Sequence, residues 1–254
     1  MISARELKEI SSLKKKKYRR LYSKFLIEGF HLIDECLKSP YRPERIIVSE
    51  EADISPHSEI FSKIKALNIK YDYLPVSRFR AISDTENSQG IVAVMGYLKT
   101  SKRIYGDIVV AADRISDPGN LGTIIRTAHW FGVKTVIIGA GSVDLYNPKL
   151  IRATQGSVFH VNIIVNADLV YYTGKLYKNG FTVVLLMSDS DSYIHEYKKP
   201  GKCVLIVGNE SEGISPKICS PVYDKIKIKG YSECESLNAA VSFGIALYEF
   251  TKPA

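Results

Sequence analysis

Short apolar stretches separated by helical patterns fill the second half of the 254-residue chain, and this alternation restricts the fold more than any other feature. The stretches are DIVVAA (107–112), KTVIIGA (134–140), FTVVLLM (181–187), KCVLIVG (202–208) and DKIKIK (224–229). Buried strands that alternate with helices imply a mostly parallel sheet covered on both faces. In NLGTIIRTAHWFG (120–132), Leu121, Ile124, Ile125, Ala128 and Phe131 share one helical face. In SLNAAVSFGIALYEF (236–250), Leu237, Val241, Ile245 and Tyr248 do the same. Such sheets take ligands at the carboxyl ends of their strands. The informative loops are therefore those that follow the apolar runs.

The first half predicts a smaller α/β unit. Phe25, Leu26, Ile27, Phe30, Leu32, Ile33 and Leu37 make a stripe expected to continue as a helix. RIIVS (45–49), a helical stretch near 58–67, IKYDYLPV (69–76) and GIVAVMGYL (90–98) complete the unit. The polar stretch after it reads as a linker. The expected organisation is a first domain over 1–98, a linker over 99–106 and a second domain over 107–254.

Apolar residues make up 45% and charged residues 24%, enough to bury an ordinary core. No run of 18 apolar residues exists, so no membrane helix is expected, and MISARELKEISSLKKKKYRR lacks the apolar centre of a secretory signal. The four cysteines (Cys36, Cys203, Cys219, Cys234) show no CxxC spacing and read as reduced thiols in a cytoplasmic protein. The five histidines have no metal-ligand spacing, and neither a GxSxG elbow nor a Walker A loop is present. Metal hydrolysis, serine hydrolysis and nucleoside triphosphate cleavage are thereby set aside.

Of the net charge of +8, residues 1–24 hold +7, centred on Lys14, Lys15, Lys16, Lys17, Arg19 and Arg20. A cluster of this kind suits a polyanion, because each neutralised phosphate releases counterions. A solvated terminal helix is the plain alternative.

Four loops carry polar groups. After DIVVAA, Pro118-Gly119 reads as a turn, Asn120 as a helix cap, and Arg126 lies off the apolar stripe, where it can fork onto phosphate. After KTVIIG, Asn147, Lys149 and Arg152 surround a helix start; the glycines there do not complete a dinucleotide fingerprint, which leaves a dehydrogenase unsupported. After KCVLIVG, Gly208 and Gly213 bracket Glu210 and Glu212, and after DKIKIK, Ser236 and Asn238 begin the last helix. Each loop alone is compatible with capping.

Taken in order, NLGTIIRTAHWFG, IVGNESEG and IKIKGYSECESLNAAVSFGIAL resemble the three motifs of the SpoU (TrmH-like) family of RNA ribose 2′-O-methyltransferases, of the SPOUT superfamily. YNPKLIRATQGSVF is also similar to a family segment, and the match covers about residues 107–250. The N-terminal part, with KKKKYRR, FLIEGFHLIDECL and QGIVAV, resembles the small substrate-binding domain of ribosomal-RNA members. The resemblance implies an α/β fold: a C-terminal parallel-sheet SPOUT domain with a deep trefoil knot, preceded by a small α/β (ribosomal-protein L30e-like) substrate-binding domain. It also implies a homodimer acting on RNA, ribosomal RNA first, with S-adenosylmethionine as methyl donor and no metal.

By resemblance, the family's polar set falls on Asn120, Arg126, Glu210, Ser236 and Asn238, and its donor-binding positions on Gly208, Ile228 and Leu237. Lys14 to Lys17, Arg19 and Arg20 would hold RNA. The sequence departs from the family after the strand IKI: Lys229-Gly230 replaces the usual Pro-Met pair, and Ser232 a glycine. A transfer-RNA enzyme and a non-catalytic RNA-binding or ribosome-assembly protein are the rival expectations.

Overall fold

The computed structural model describes residues 2–233 and 236–252. They fall into two compact units: residues 1–99 with 144–159, and residues 100–143 with 160–254.

The first unit begins with α1 (Ala4–Ser12), capped reciprocally by Ser3 and Glu6, and α2 (Lys16–Tyr22), which ends on Ser23 in the left-handed region. β1 (Lys24–Glu28), α3 (Phe30–Lys38), β2 (Arg45–Ser49), α4 (Ser58–Ala66), β3 (Tyr71–Leu74), α5 (Val76–Phe79) and β4 (Ile91–Gly96) follow. The sheet order is β1-β4-β2-β3, with β4 antiparallel to both neighbours and β2 parallel to β3. The expectation that Phe25–Ile27 open a helix is corrected. These three residues are buried in β1, and Gly29, at φ +101°, breaks the chain before α3. A run buried on both faces carries no period, so strand and helix look alike.

The second unit contains β5 (Ile108–Ala112), α6 (Pro118–Trp130) and β6 (Thr135–Gly139). After the segment 144–159, which carries α7 (Pro148–Thr154), come β7 (Asn162–Ala167), α8 (Leu169–Lys178), β8 (Thr182–Leu186), β9 (Cys203–Val207), β10 (Asp224–Ile226) and α9 (Ala239–Thr251). The sheet order is β10-β8-β9-β5-β6-β7 and every pairing is parallel. All five residues of β9 are buried, as a central strand covered on both faces requires.

Residues 144–159 lie within the 107–254 span of the sequence reading, yet they belong to the first unit. The Tyr146 ring stacks on Tyr97 at 4.0 Å and meets Phe25 at 4.6 Å, and its hydroxyl oxygen accepts from the Leu98 amide at 3.0 Å. Leu150 and Ile151 of α7 are buried.

Two further readings change. Helix α6 starts at Pro118 and is capped by Asp117, whose Oδ1 accepts from the Asn120 amide at 2.9 Å, so Pro118-Gly119 is its first turn and Asn120 is not its cap. A proline at the first helical position lacks only an amide hydrogen that the helix would leave unpaired. In α9 the stripe Val241, Ile245, Tyr248 does share a face, but an outward one, exposed by 51%, 38% and 58%. The core takes Ala240, Phe243, Ala246, Leu247 and Phe250 instead. A helix that is apolar all round gives the sequence no way to choose its buried side.

Candidate active site

At the carboxyl ends of β5 and β9, three loops of the second unit are joined by side-chain hydrogen bonds. Asn120 Nδ2 donates to Glu210 Oε1 at 2.6 Å, and Asn238 Nδ2 donates to Asn120 Oδ1 at 2.9 Å. Ser116 Oγ donates to Glu210 Oε2 at 3.4 Å. Because Asp117 has taken the capping role, the Asn120 amide is free to bridge a carboxylate and a second amide. Asn238 serves twice: its Oδ1 caps α9 by accepting from the amides of Ala240 (2.9 Å) and Val241 (3.3 Å). The Glu210 oxygen accepts from Asn120 Nδ2, which turns Asn120 Oδ1 toward Asn238 Nδ2, so each side chain orients the next.

The loop after β9 is folded tightly on itself. Asn209 and Gly213 exchange main-chain hydrogen bonds at 3.0 Å in both directions, and Asn209 Oδ1 accepts from the amides of Ser211 and Glu212. A Cβ on Gly208 would lie 2.3 Å from the Gly213 carbonyl carbon, so only glycine fits there. A second network supports this loop, and sequence reasoning missed it. Asp113, 4% exposed, accepts from the Ser215 amide at 2.7 Å and pairs with Arg114 at 3.3 Å. Arg114, left-handed at φ +54°, also reaches Glu212 and the Gly213 carbonyl, while its own carbonyl accepts from Asn209 Nδ2 at 2.9 Å. The one available signal was the charged Asp-Arg pair ending an apolar strand.

Arg126 is exposed on α6, about 9 Å beyond Asn120 along the helix axis at 1.5 Å per residue. It makes no hydrogen bond or ion pair with the described residues, so it stands open to a ligand. Ser236 and Leu237 are exposed on the approach to α9, and Ile228 is half-buried two residues past β10. Cys234 and Glu235 lie outside the described residues. The main-chain groups of Gly208, Ile228 and Leu237 take no main-chain partner among the described residues, which leaves donors and acceptors for a ligand at this rim.

In the first unit the basic segment divides. Lys15, Lys16, Lys17 and Arg20 are exposed and Lys14 is half-buried. Arg19 is withdrawn from any phosphate: it is 3% exposed, donates to Asp144 Oδ2 at 2.6 and 3.1 Å, and donates to the carbonyls of Leu13 (3.1 Å) and Lys14 (2.7 Å). Asn147 caps α7 and Arg152 pairs with Asp84 at 2.9 Å, so both are structural. Glu28 accepts from Ser83 Oγ, the Asp84 amide, Thr85 Oγ1 and Ser88 Oγ at 2.6–2.9 Å. Burial opposes its ionisation, but these four donors outweigh it and hold the carboxyl below its ordinary range. Beside them opens a cleft of about 770 Å³, lined among others by Phe30, His57, Arg80 and Gln89. The His57 ring stacks on Phe30 at 3.6 Å.

Among the described residues no three His, Cys, Asp or Glu side chains gather as metal ligands, and no helix is long and apolar enough to cross a membrane. Burial pushes the Cys36 and Cys203 thiols up to about 12, which keeps them protonated and inert.

Comparison with known proteins gives the site a lineage. Residues 107–248 match the profile of the SpoU rRNA Methylase family, and residues 4–93 that of the MRM3-like substrate binding domain. The 23S rRNA (guanosine(2553)-2′-O)-methyltransferase RlmP of Bacillus subtilis is 34% identical over 96% of this chain and 94% of its own length. The AdoMet-bound rRNA methyltransferase of Sinorhizobium meliloti superposes with a TM-score of 0.83 at 25% identity, covering 98% of this chain and 96% of that one. The SpoU methyltransferase AviRb of Streptomyces viridochromogenes shares the fold at a TM-score of 0.87 and 20% identity, over 98% and 97% of the two chains. With family motifs, substrate-binding segment and six-stranded parallel sheet all in place, this chain belongs to the SpoU methylase family.

Proposed function

We propose that this chain transfers a methyl group from S-adenosylmethionine to a ribose 2′-hydroxyl of ribosomal RNA. The observation that carries the reading is the Asn238–Asn120–Glu210 chain of hydrogen bonds, which joins the three motif loops at the strand ends. The 2′-O activity on 23S rRNA of the Bacillus relative supports the substrate, and the AdoMet held by the Sinorhizobium structure supports the donor.

Main-chain groups of Gly208, Ile228 and Leu237 fit the adenosine part of the donor, because they have no main-chain partners among the described residues at a glycine-tight rim. When bound, the donor supplies a methyl group already activated by its sulfonium. The protein's task is then alignment and charge. Asn120, Ser236 and Asn238 orient the ribose and the loops, and Glu210 holds Asn120 in register. Arg126 clamps the adjacent phosphate and stabilises the charge that develops on the ribose oxygen; a guanidinium keeps its proton, so it acts through charge and fork geometry. Lys15, Lys16, Lys17 and Arg20 supply affinity for the RNA backbone, with Lys14 at their margin.

The same reading places a trefoil knot in the C-terminal segment, a homodimer in solution and the cytoplasm as the working compartment. Support for the dimer comes from α6 and α9 of the second unit, which pack on each other and leave Trp130 (84% exposed), Val241, Ile245 and Tyr248 uncovered. Neighbouring exposed apolar side chains of this kind mark a surface where a partner packs. Tyr248→Glu is expected to shift the protein from dimer to monomer in sedimentation velocity; a monomeric parent protein refutes the dimer.

The function is tested by calorimetry with S-adenosylmethionine and S-adenosylhomocysteine, followed by mapping of methylated riboses after incubation with unmodified ribosomal RNA. Saturable binding of both and a new 2′-O-methyl group are the expected results. A folded protein that binds neither, with RNA present or absent, overturns the reading.

A further inference from the structure

Lys229-Gly230, where the sequence departs from its family, is accompanied by an unusual surface. Tyr231 is 88% exposed, the largest fraction for any large apolar or aromatic side chain among the described residues. Its one ring partner among them is the Lys229 ammonium, 5.3 Å from the ring centre. The same ammonium lies 5.5 Å from the Tyr193 ring, and the Lys227 ammonium lies 4.9 Å from it. Two lysines and two tyrosines are thus interleaved.

The backbone builds this arrangement. Just beyond β10, Tyr193 bridges to Lys227 in parallel: the Lys227 amide donates to the Ser192 carbonyl and the Ile194 amide to the Lys227 carbonyl, both at 2.9 Å. Side chains alternate along a strand, so Ile226 is buried while Lys225 and Lys227 take the other side, and Lys229 joins Lys227 over the same Tyr193 ring. Lysines on an edge strand discourage pairing with another sheet, and β10 is an edge strand. That accounts for the lysines but not for a tyrosine held in water beyond the strand. The Tyr193 ring is half-exposed and already stacks on His195 at 5.6 Å, so the open face of the surface is that of Tyr231, flanked by the two lysines. Cations beside an open aromatic face suit a single-stranded nucleic acid, since every base has a face to stack and every link a phosphate. A protein partner would ask for a continuous apolar patch; here the rings are separated by charges. The acidic Glu196 beside the patch is engaged with His195 at 3.5 Å.

We propose that the Tyr193–Lys227–Lys229–Tyr231 surface is a docking track for a single-stranded stretch of RNA, with Tyr231 stacking on a base and the two lysines on flanking phosphates. The track rests on the reading of the chain as an RNA-modifying enzyme and adds a contact outside its motif residues. It places RNA contacts in the second unit as well as on the basic segment of the first.

The test measures binding of the full-length protein to a fluorescent oligouridine across a salt series, with S-adenosylmethionine calorimetry in parallel. Tyr231→Ala is expected to weaken RNA binding by about tenfold, within the range for loss of one stacked base, while Tyr231→Phe binds as the parent protein does. Lys227→Ala with Lys229→Ala is expected to lower the slope of log affinity against log salt by about 1.4, or about 0.7 per phosphate contact. Tyr231→Ala should leave donor affinity and sedimentation unchanged. Equal RNA affinity in Tyr231→Ala and the parent overturns the track alone. Loss of donor affinity assigns the tyrosine to the donor pocket, and loss of the dimer assigns it to a subunit contact; either overturns the proposal. A parent protein that binds no RNA removes the enzyme reading and the track together.

Discussion

In the first unit, charges that enter the interior are closed off by the fold's own groups; in the second, polar side chains meet at the rim of a sheet and leave capacity unused. Arg19 spends its donors on Asp144 and two carbonyls, and Glu28 accepts four hydrogen bonds from one loop. In the second unit Asn120 links Glu210 and Asn238 at strand ends, and among the described residues Arg126 has no hydrogen bond or ion pair and main-chain groups at the rim lack main-chain partners. A charge is therefore no guide to function by type or by neighbourhood in sequence. Arg19 sits in the most basic stretch of the chain and is architecture, while Arg126 sits in an apolar helix and is the proposed clamp.

Arg19→Ala gives the sharpest test of this contrast. Removing one member of a buried ion pair costs about 3–5 kcal/mol, so thermal unfolding should move sharply down, whereas Arg20→Ala should leave it near the parent value. If Arg19→Ala keeps parental stability, the first unit does not depend on its internal charges.

Arg126→Lys probes the other side. Turnover on RNA is expected to fall by about 10²-fold or more, as for loss of one positioned donor, with donor binding and melting temperature kept. Lysine retains the charge but not the fork, so near-normal turnover would remove Arg126 from its role.

Glu28→Gln should destabilise the first unit by about 1–3 kcal/mol, because an amide nitrogen would face donors. The pH dependence follows from the lowered carboxyl. Its contribution is fully present above the unfolded-state value of about 4.5 and is lost as pH falls through the lower folded value. Urea midpoints measured from neutral to acid pH should fall for the parent in that window and vary less for Glu28→Gln; parallel curves would refute the assignment.

The smallest effect is expected at the cap of α9. Asn238→Asp keeps the capping oxygen but loses the donor to Asn120, so stability should change by less than the 0.5–2 kcal/mol, roughly, of a lost cap, while turnover drops. Equal turnover would mean that the link to Asn120 is structural only.

Much of this contrast could be read in the chain beforehand, and the exceptions have physical causes. The five runs all became parallel strands: four carry the uninterrupted apolar signature that central burial leaves, while DKIKIK alternates, as suits the edge strand β10 with two of its three residues exposed. β7 and α8 were not foreseen: β7 has exposed Val165 and Asn166 at a sheet edge, and α8 is rich in tyrosine, so neither shows a clean period. Of the motif residues, Asn120, Glu210 and Asn238 are hydrogen-bonded to one another, and Asn120 is available for this because the helix begins three residues earlier than its own capping chemistry suggested. The placement of Arg19, the Asp113–Arg114 support and the move of residues 144–159 to the first unit all depend on contacts distant in sequence. Local pattern holds no record of these.

The strand order β10-β8-β9-β5-β6-β7 has a consequence for the order of events during synthesis. β5, β6 and β7 can pair as they emerge, each beside its predecessor. β8 cannot: its partners are β9 and β10, both made after it, and its link to the older strands runs only through β9. Until residues 203–207 leave the ribosome, β8 has no strand to pair with, although the helix before it can already rest its Leu169 against Gly139 of β6. The middle of the sheet is thus the last of its main strands to arrive, and the glycine-tight loop that borders the proposed donor site is translated immediately behind it. A nascent chain stopped before residue 203 would expose two unfinished sheet edges, which makes the interval before β9 the part of its birth when this protein most needs a chaperone.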